Sequence, residues 1–273
     1  MLDFLKDFFD SRKIEYFAVL DYGDMRVTGE GIMARERFTP RSVILYLLPY
    51  YTGECENISR YAASLDYHGA IREVNEGLSR VLTEHFPHCS LRGYGDHSPI
   101  DERYAALIGG LGILGDNGLI INEKYGSYVF VGDVICDVPP EALGAISPSE
   151  ILHCEGCGAC RTACPTGVLG GESCECLSAI TQKKGYLTES EAALMREVGT
   201  AWGCDECQSA CPHNGAPVKT PIGFFYRERI GALTRELLSG MDKESFSRRA
   251  FAWRGRAVIE RNVAVLEGEN VGK

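Results

Sequence analysis

The chain has 273 residues, 45% hydrophobic and 24% charged, the composition of a soluble globular protein with room for a sizeable core and a smaller attached domain. Its formal charge of −10 excludes a diffusely basic nucleic-acid binder and leaves only a local basic patch for that purpose. Twelve cysteines without a secretion signal point to a reducing compartment, the cytoplasm, where clustered thiols hold metal more often than they form disulfides.

Taken in order, "MLDFLKDFFDSRK" puts acids among its apolar residues. Leu2, Leu5, Phe8 and Phe9 then share one side of an expected amphipathic helix. No run approaches the roughly 18 apolar residues of a membrane span, so no membrane partner is expected. "IEYFAVLDY" (14–22) and "RSVILYLLPYY" (41–51) read as strands, separated by the Gly- and charge-rich "GDMRVTGEGIMARERFTP". Ile58, Tyr61, Ala62 and Leu65, then Ile71, Val74, Leu78, Val81 and Leu82, recur at helical spacing and predict helix across 57–86. "YGSYVFVGDVICDV" (125–138) reads as another buried strand, and Cys55, Cys89 and Cys136 as isolated core thiols. This alternation predicts an α/β or α+β layered domain over 1–148, closed by the turn-rich "VPPEALGAISPSE". A small cluster-stapled domain over 149–220 and a helical segment over 221–273 complete an α+β chain.

Nine of the twelve cysteines fall between 154 and 211. Cys154-x2-Cys157-x2-Cys160-x3-Cys164-Pro165 is the bacterial ferredoxin spacing. Three thiolates on one tight loop take three corners of a [4Fe-4S] cubane, and the cysteine before proline crosses to a neighbouring cluster. Zinc favours two separated C-x2-C pairs instead. "WGCDECQSACPHN" (202–214) repeats the rhythm one ligand short, with Cys204, Cys207 and Cys211-Pro212. The missing thiolate falls to Cys174 or Cys176 in "SCECLSAITQ". By the crossing rule one cluster takes Cys154, Cys157, Cys160 and Cys211; the other takes Cys164, Cys204, Cys207 and one of the upstream pair. Two adjacent clusters make an electron wire, which implies an external low-potential electron donor at one end and a reducible centre at the other.

"GGLGILGDNG" holds Gly110-x-Gly112-x-x-Gly115, formally a dinucleotide fingerprint. It follows the helical "DERYAALI" and precedes the strand-like "GLIIN", the reverse of the order a nicotinamide site requires. Its glycines still permit close backbone approach to a large planar or phosphate-bearing ligand. In "GYGDHSPIDER", Asp96 stands between Gly95 and His97-Ser98-Pro99. The plain reading is a solvated loop with a surface ion pair. The functional reading puts the carboxyl group in a desolvating pocket, where it rises in pKa and donates a proton.

The segments "SLDYHGAIREV", "GDHSPIDERYAALIGGLGILG", "NEKYGSYVFVGDVICDVP", the double cluster frame and "RGRAVIERNVAVLEGEN" follow one another in a telling order. In them the chain resembles the epoxyqueuosine reductase family. The resemblance implies a cobalamin-dependent enzyme, a corrinoid-binding domain fused to a two-cluster ferredoxin module, that removes the epoxide oxygen of epoxyqueuosine in tRNA. It makes Asp96 the proton donor and puts Arg103 on an arginine that orients substrate or carboxylate. Asp66, Tyr67 and His68 match an Asp-Tyr-His element that would line the corrinoid or substrate cleft with Ser59, and Gly112 and Gly115 would approach the cofactor. It also selects Cys176, just before "LSAIT", as the fourth ligand. Gly115-Asp116-Asn117 departs from the family's Gly-Lys-His. The resemblance is to a short form without the C-terminal helical repeats that help full-length members hold tRNA. Arg248, Arg249, Arg254, Arg256 and Arg261 are the remaining candidate phosphate contacts. Two other readings stay open: a ferredoxin-type electron carrier without chemistry of its own, and a corrinoid reductase acting on a small molecule.

Overall fold

The computed structural model describes residues 2–171 and 175–269, so Cys174 lies outside the described residues. The chain forms two compact units, residues 1–50 with 68–156, and residues 51–67 with 157–273.

In the first unit, α1 (Asp3–Ser11) buries Leu5, Phe8 and Phe9, as their spacing requires. It leads through β1 (Phe17–Asp21) and the short α2 (Glu30–Met33) to β2 (Ser42–Pro49). Then follow α3 (Tyr67–His85), β3 (Leu91–Tyr94) and α4 (Glu102–Ile108). The two-residue strands β4 (Ile113–Leu114) and β5 (Ile120–Ile121), and finally β6 (Val129–Cys136), complete the unit. The main sheet has the order β1-β2-β6-β3 with every neighbouring pair antiparallel, which settles the layered domain as α+β.

All eight residues of β2 are buried, because helices cover both faces of this central strand. On one face Leu45, Leu47 and Ile135 pack with Ala105, Ala106 and Ile108 of α4. On the other, Tyr46 lies against α3 and its hydroxyl donates to Asn75 Oδ1 at 2.7 Å. The β2–β6 register sets Tyr46 opposite Gly132 and Leu45 opposite Asp133. A Cβ at Gly132 would stand 2.4 Å from the Tyr46 ring and hydroxyl. We therefore expect Gly132→Ala to destabilise the unit by about 1–3 kcal/mol through overpacking, read as a lowered Tm. An unchanged Tm would contradict this packing.

Of the helix expected over 57–86, only a single 3-10 turn at Arg60–Ala62 forms before the α-helix begins at Tyr67. Upstream, Ser59 N–H donates to Trp202 O and Asp66 N–H to Arg248 O, both at 2.8 Å, while Ile58 and Leu65 bridge to Trp202 and Arg249. Tertiary partners capture the donors that a helix would have used internally. This stretch accordingly belongs to the second unit.

The second unit contains α5 (Ala159–Thr162), α6 (Leu177–Thr181), α7 (Glu189–Val198), α8 (Glu206–Ser209), α9 (Arg235–Gly240), α10 (Lys243–Ser247) and α11 (Arg256–Leu266). Thr188 and Glu191 close a reciprocal cap at the start of α7, and Gly199 ends it in the left-handed conformation. One apolar cluster joins Ile58 and Ala62 to Trp202, Phe246, Phe251, Val258 and Ile259. The helical tail, a segment of its own in the sequence reading, thus helps build the core around Trp202. No helix among the described residues is long and apolar enough to cross a membrane.

Candidate functional site

Asp96 follows β3 in a loop that several independent contacts hold. Pro99 O accepts from Thr28 N–H and Gly29 N–H at 2.8 and 2.9 Å, and Asp101 N–H donates to Arg26 O at 2.8 Å. The Asp101 side chain caps α4 by accepting from Tyr104 N–H at 2.9 Å. Asp96 itself adopts φ 66°, a left-handed conformation that a non-glycine residue holds only under constraint. Its N–H donates to Glu102 Oε1 at 3.1 Å, and its carboxylate stands 3.8 Å from His68 Nε2. The carboxyl group is 59% exposed, so the desolvating pocket expected around it is not formed by this unit. A cavity of about 540 Å³ opens beside it, lined by His68, Arg72, Asn75, Arg92, Gly95 and His97 among others.

Beneath this loop lies a feature that the sequence reading passed over. Asp133 of β6 is fully buried, and neither of its carboxyl oxygens makes a well-formed hydrogen bond among the described residues. The polar groups facing it are Ser98 and Glu102. Burial is the main force raising both acids, Asp133 to about 7 and Glu102 to about 8, and the charges of Asp133 and Asp96 push Glu102 further up. The signal was present in "VFVGDVIC", where one acid interrupts a buried strand.

The other sequence-derived candidates are placed less uniformly. Arg103 donates to Gly118 O at 2.8 Å, tying down the β4–β5 turn. The space beside Gly112 is filled by the Ile121 backbone, whose oxygen would be 2.6 Å from an added Cβ, and that beside Gly115 by Asn117 Oδ1, also at 2.6 Å. Close packing of this hairpin therefore accounts for both glycines. In the second unit Tyr67 is nearly buried, with its ring edge-on to Tyr61. Ser59 Oγ donates to Asp205 Oδ1, while the Arg60 backbone N–H and guanidinium reach Asp205 Oδ2 at 2.8 and 3.0 Å. Asp205 lies between Cys204 and Cys207, so these bonds fix the cysteine loop from outside. Sequence reasoning named Ser59 but missed Arg60 and Asp205. Three of the five arginines considered for phosphate are occupied by backbone carbonyls: Arg249 by Glu228, Arg256 by Leu238 and Met241, and Arg261 by Lys183 and Gly185.

Three cysteine sulfurs accept backbone N–H donors, Cys164 several of them, as thiolates of iron–sulfur clusters do. In the first unit Asp116 N–H donates to Cys154 Sγ at 3.3 Å, so the turn that departs from the family pattern contributes through its backbone. In the second, burial pushes Cys164 up, but N–H groups of Leu169, Thr166 and Val168 and the Thr166 hydroxyl outweigh it and leave the thiol lowered. Cys204 is pushed up to about 12, first by burial and then by Cys176 and Cys207, which are its close neighbours. Iron binding would displace those protons. Cys160 is buried, while Cys157 and Cys176 are exposed. The buried Asn262 of α11 donates to Thr181 O and Ala201 O, both at 2.7 Å, and Thr181 Oγ1 accepts Gly203 N–H at 3.0 Å. This chain of bonds anchors the approach to Cys204. Among the described residues no three Cys, His, Asp or Glu side chains close on the spacing of one metal ion. A cubane makes no such demand, since each thiolate binds its own iron.

The profile of a 4Fe-4S double cluster binding domain matches residues 153–214. The chain is 32% identical over 222 residues to the epoxyqueuosine reductase of Listeria monocytogenes, covering 76% of this chain and 56% of that protein. It is 36% identical over 165 residues to the Escherichia coli epoxyqueuosine reductase, covering 58% and 41%. Among solved structures, the Streptococcus thermophilus epoxyqueuosine reductase superposes with a TM-score of 0.75 at 20% identity, over 96% of this chain and 79% of that one. An epoxyqueuosine reductase in complex with an epoxyqueuosine-modified tRNA-Tyr stem loop gives 0.75 at 21% identity, over 96% and 80%. The chain spans about half the length of the curated relatives it matches.

Proposed function

We propose that this chain, a member of the epoxyqueuosine reductase family over the stretch it shares with those relatives, reduces the epoxide of epoxyqueuosine in a tRNA stem loop. Reduction to the alkene consumes two electrons and two protons and releases water. When bound, two [4Fe-4S] clusters supply electrons singly from an external low-potential donor, and cobalamin supplies a strongly reducing, nucleophilic centre. The eight thiolates assigned to the clusters are Cys154, Cys157, Cys160, Cys164, Cys176, Cys204, Cys207 and Cys211. Their N–H···S bonds at Cys154, Cys164 and Cys204 fit that load. Within the first unit, His68 and Arg103 offer donors that the amide groups of a corrinoid would engage, whereas Ser59 of the second unit spends its hydroxyl on Asp205.

The observation that carries this reading is the constrained Asp96. Its left-handed backbone, clamped by Glu102, sets a largely exposed carboxyl group 3.8 Å from His68, one of the residues lining the neighbouring cavity. A carboxylic acid there protonates the leaving epoxide oxygen and makes it a better leaving group. His68, 3.8 Å away, orients that carboxyl group and, when protonated, holds the carboxylate left after transfer.

The test is anaerobic reconstitution with iron and sulfide, followed by cobalamin titration and incubation with an epoxyqueuosine-containing stem loop. A shifted cobalamin spectrum and loss of one oxygen from the modified nucleoside are expected. Cobalamin binding without RNA turnover would favour a small-molecule reductase. Absence of both would leave an electron carrier.

A further inference from the structure

We propose that Trp253 and Arg254 form a stacking platform for RNA. An unpaired base of the stem loop lies on the open surface of the indole, and a phosphate of the same strand accepts from the guanidinium. This rests on the RNA substrate given above and adds two residues that grip it.

The two tryptophans of the chain are used in opposite ways. Trp202 is fully buried and its indole N–H donates to the Tyr61 hydroxyl at 2.8 Å, so core packing accounts for it. Trp253 is 60% exposed, and its indole N–H meets no acceptor among the described residues. The Arg254 guanidinium lies over its ring, 3.9 Å from the centroid, and leaves the remaining ring surface to solvent. Arg254 also differs from the other four arginines of its stretch. Arg249, Arg256 and Arg261 hold carbonyls, and Arg248 pairs with Glu228 at 2.9 Å. Arg254 makes no side-chain hydrogen bond or ion pair among the described residues, and its Nε is buried without a partner.

The platform is fixed by its flanks. Trp253 and Arg254 lie in the 3-10 turn Ala252–Arg254, between the fully buried Phe251 and α11, whose Val258 and Ile259 share the same core. Arg254 N–H donates to Phe251 O at 3.3 Å and Gly255 N–H to Ala252 O at 2.9 Å. Gly255 then turns the chain at φ 91°, where a side chain would be strained. An aromatic ring held in place this way has little freedom left to lose on binding. Residues 248–261 carry five arginines against Glu260 in a chain of net charge −10, and counting Glu228 opposite Arg248 still leaves the stretch positive. An apolar protein surface would bury Arg254 with no anion to meet it, at a desolvation cost. A polyanion that carries flat rings satisfies both side chains, since every base has a π face for the indole and a phosphate for the cation.

The test uses the cluster-loaded chain and a fluorescently labelled, unmodified RNA stem loop, read by anisotropy at fixed ionic strength. Trp253→Ala should weaken binding about tenfold, within the range that one base–aromatic stack supplies, and Trp253→Phe should recover part of it. Arg254→Ala should weaken binding and reduce the slope of log Kd against log salt by about 0.7, the share of one phosphate on a single strand. The RNA should quench the indole emission of the parent, and that quench should vanish in Trp253→Phe. A loop built with abasic nucleotides should bind the parent and Trp253→Ala alike. Tyr186→Ala removes an aromatic side chain that is 71% exposed with no cation over its ring, and should leave Kd within about twofold. Equal affinity of Trp253→Ala and the parent for the stem loop, or an equal loss in Tyr186→Ala, would overturn the platform. So would a Trp253→Ala variant that binds RNA normally but no longer self-associates, which would give this face to a second copy of the chain. A parent that binds the RNA through Trp253 yet leaves epoxyqueuosine intact would uphold the platform and count against epoxide reduction. Epoxide reduction by Trp253→Ala at the KM of the parent would do the reverse.

Discussion

Asp96→Asn should lower kcat for epoxide reduction by about 10²- to 10⁴-fold, the usual contribution of a positioned acid. The amide retains the backbone N–H that Glu102 accepts, and it is nearly isosteric, so the loop keeps its shape. KM, iron content and the cobalamin spectrum should therefore stay close to the parent values. That combination separates loss of a proton from loss of a binding site. A variant within about twofold of the parent would move the proton donor elsewhere.

The second large effect concerns the thiolates. Cys204→Ala should take iron and acid-labile sulfide from about eight to about four atoms of each per chain, because it strips one cubane of a corner. Multiple-turnover reduction should fall to background, since one station of the electron path is gone. Cys176→Ala should reproduce the loss, and Cys174→Ala should not. Iron retained in Cys176→Ala and lost in Cys174→Ala would reverse the assignment of the fourth ligand. Cys164→Ala should damage the same cluster as Cys204→Ala, which tests the crossing of the cysteine before Pro165 into the neighbouring cubane.

The cysteine frame was legible because ligand spacing within a loop is a local property, and local properties survive in a one-dimensional string. The same holds for α1, β1, β2 and β6, whose apolar patterns match their observed spans within a few residues. What failed to read depended on partners distant in sequence. Residues 57–66 have helical periodicity, yet Trp202 and Arg248 claim their backbone donors. The arginines of 248–261 look like a phosphate comb, but three of them hold carbonyls of their own unit. Glu102 and Asp133 lie far apart along the chain, and only the β-sheet register and the packing of α4 bring them together. Arg60 and Asp205 met in the same way.

The insertion of residues 51–67 into the second unit has a practical corollary for anyone wishing to excise the cluster half. A fragment cut just before Cys154 would keep all the assigned cluster thiolates but leave behind Ile58 and Ala62, which fill the hydrophobic interior beside Trp202, and the Ser59–Arg60 clamp on Asp205. Such a fragment should aggregate or lose iron, whereas a version with 51–67 spliced back by circular permutation should hold its inorganic cargo. The half that carries the double-cluster domain match is thus not a cassette, and any chimera that swaps it must transplant the distant seventeen-residue strap along with it.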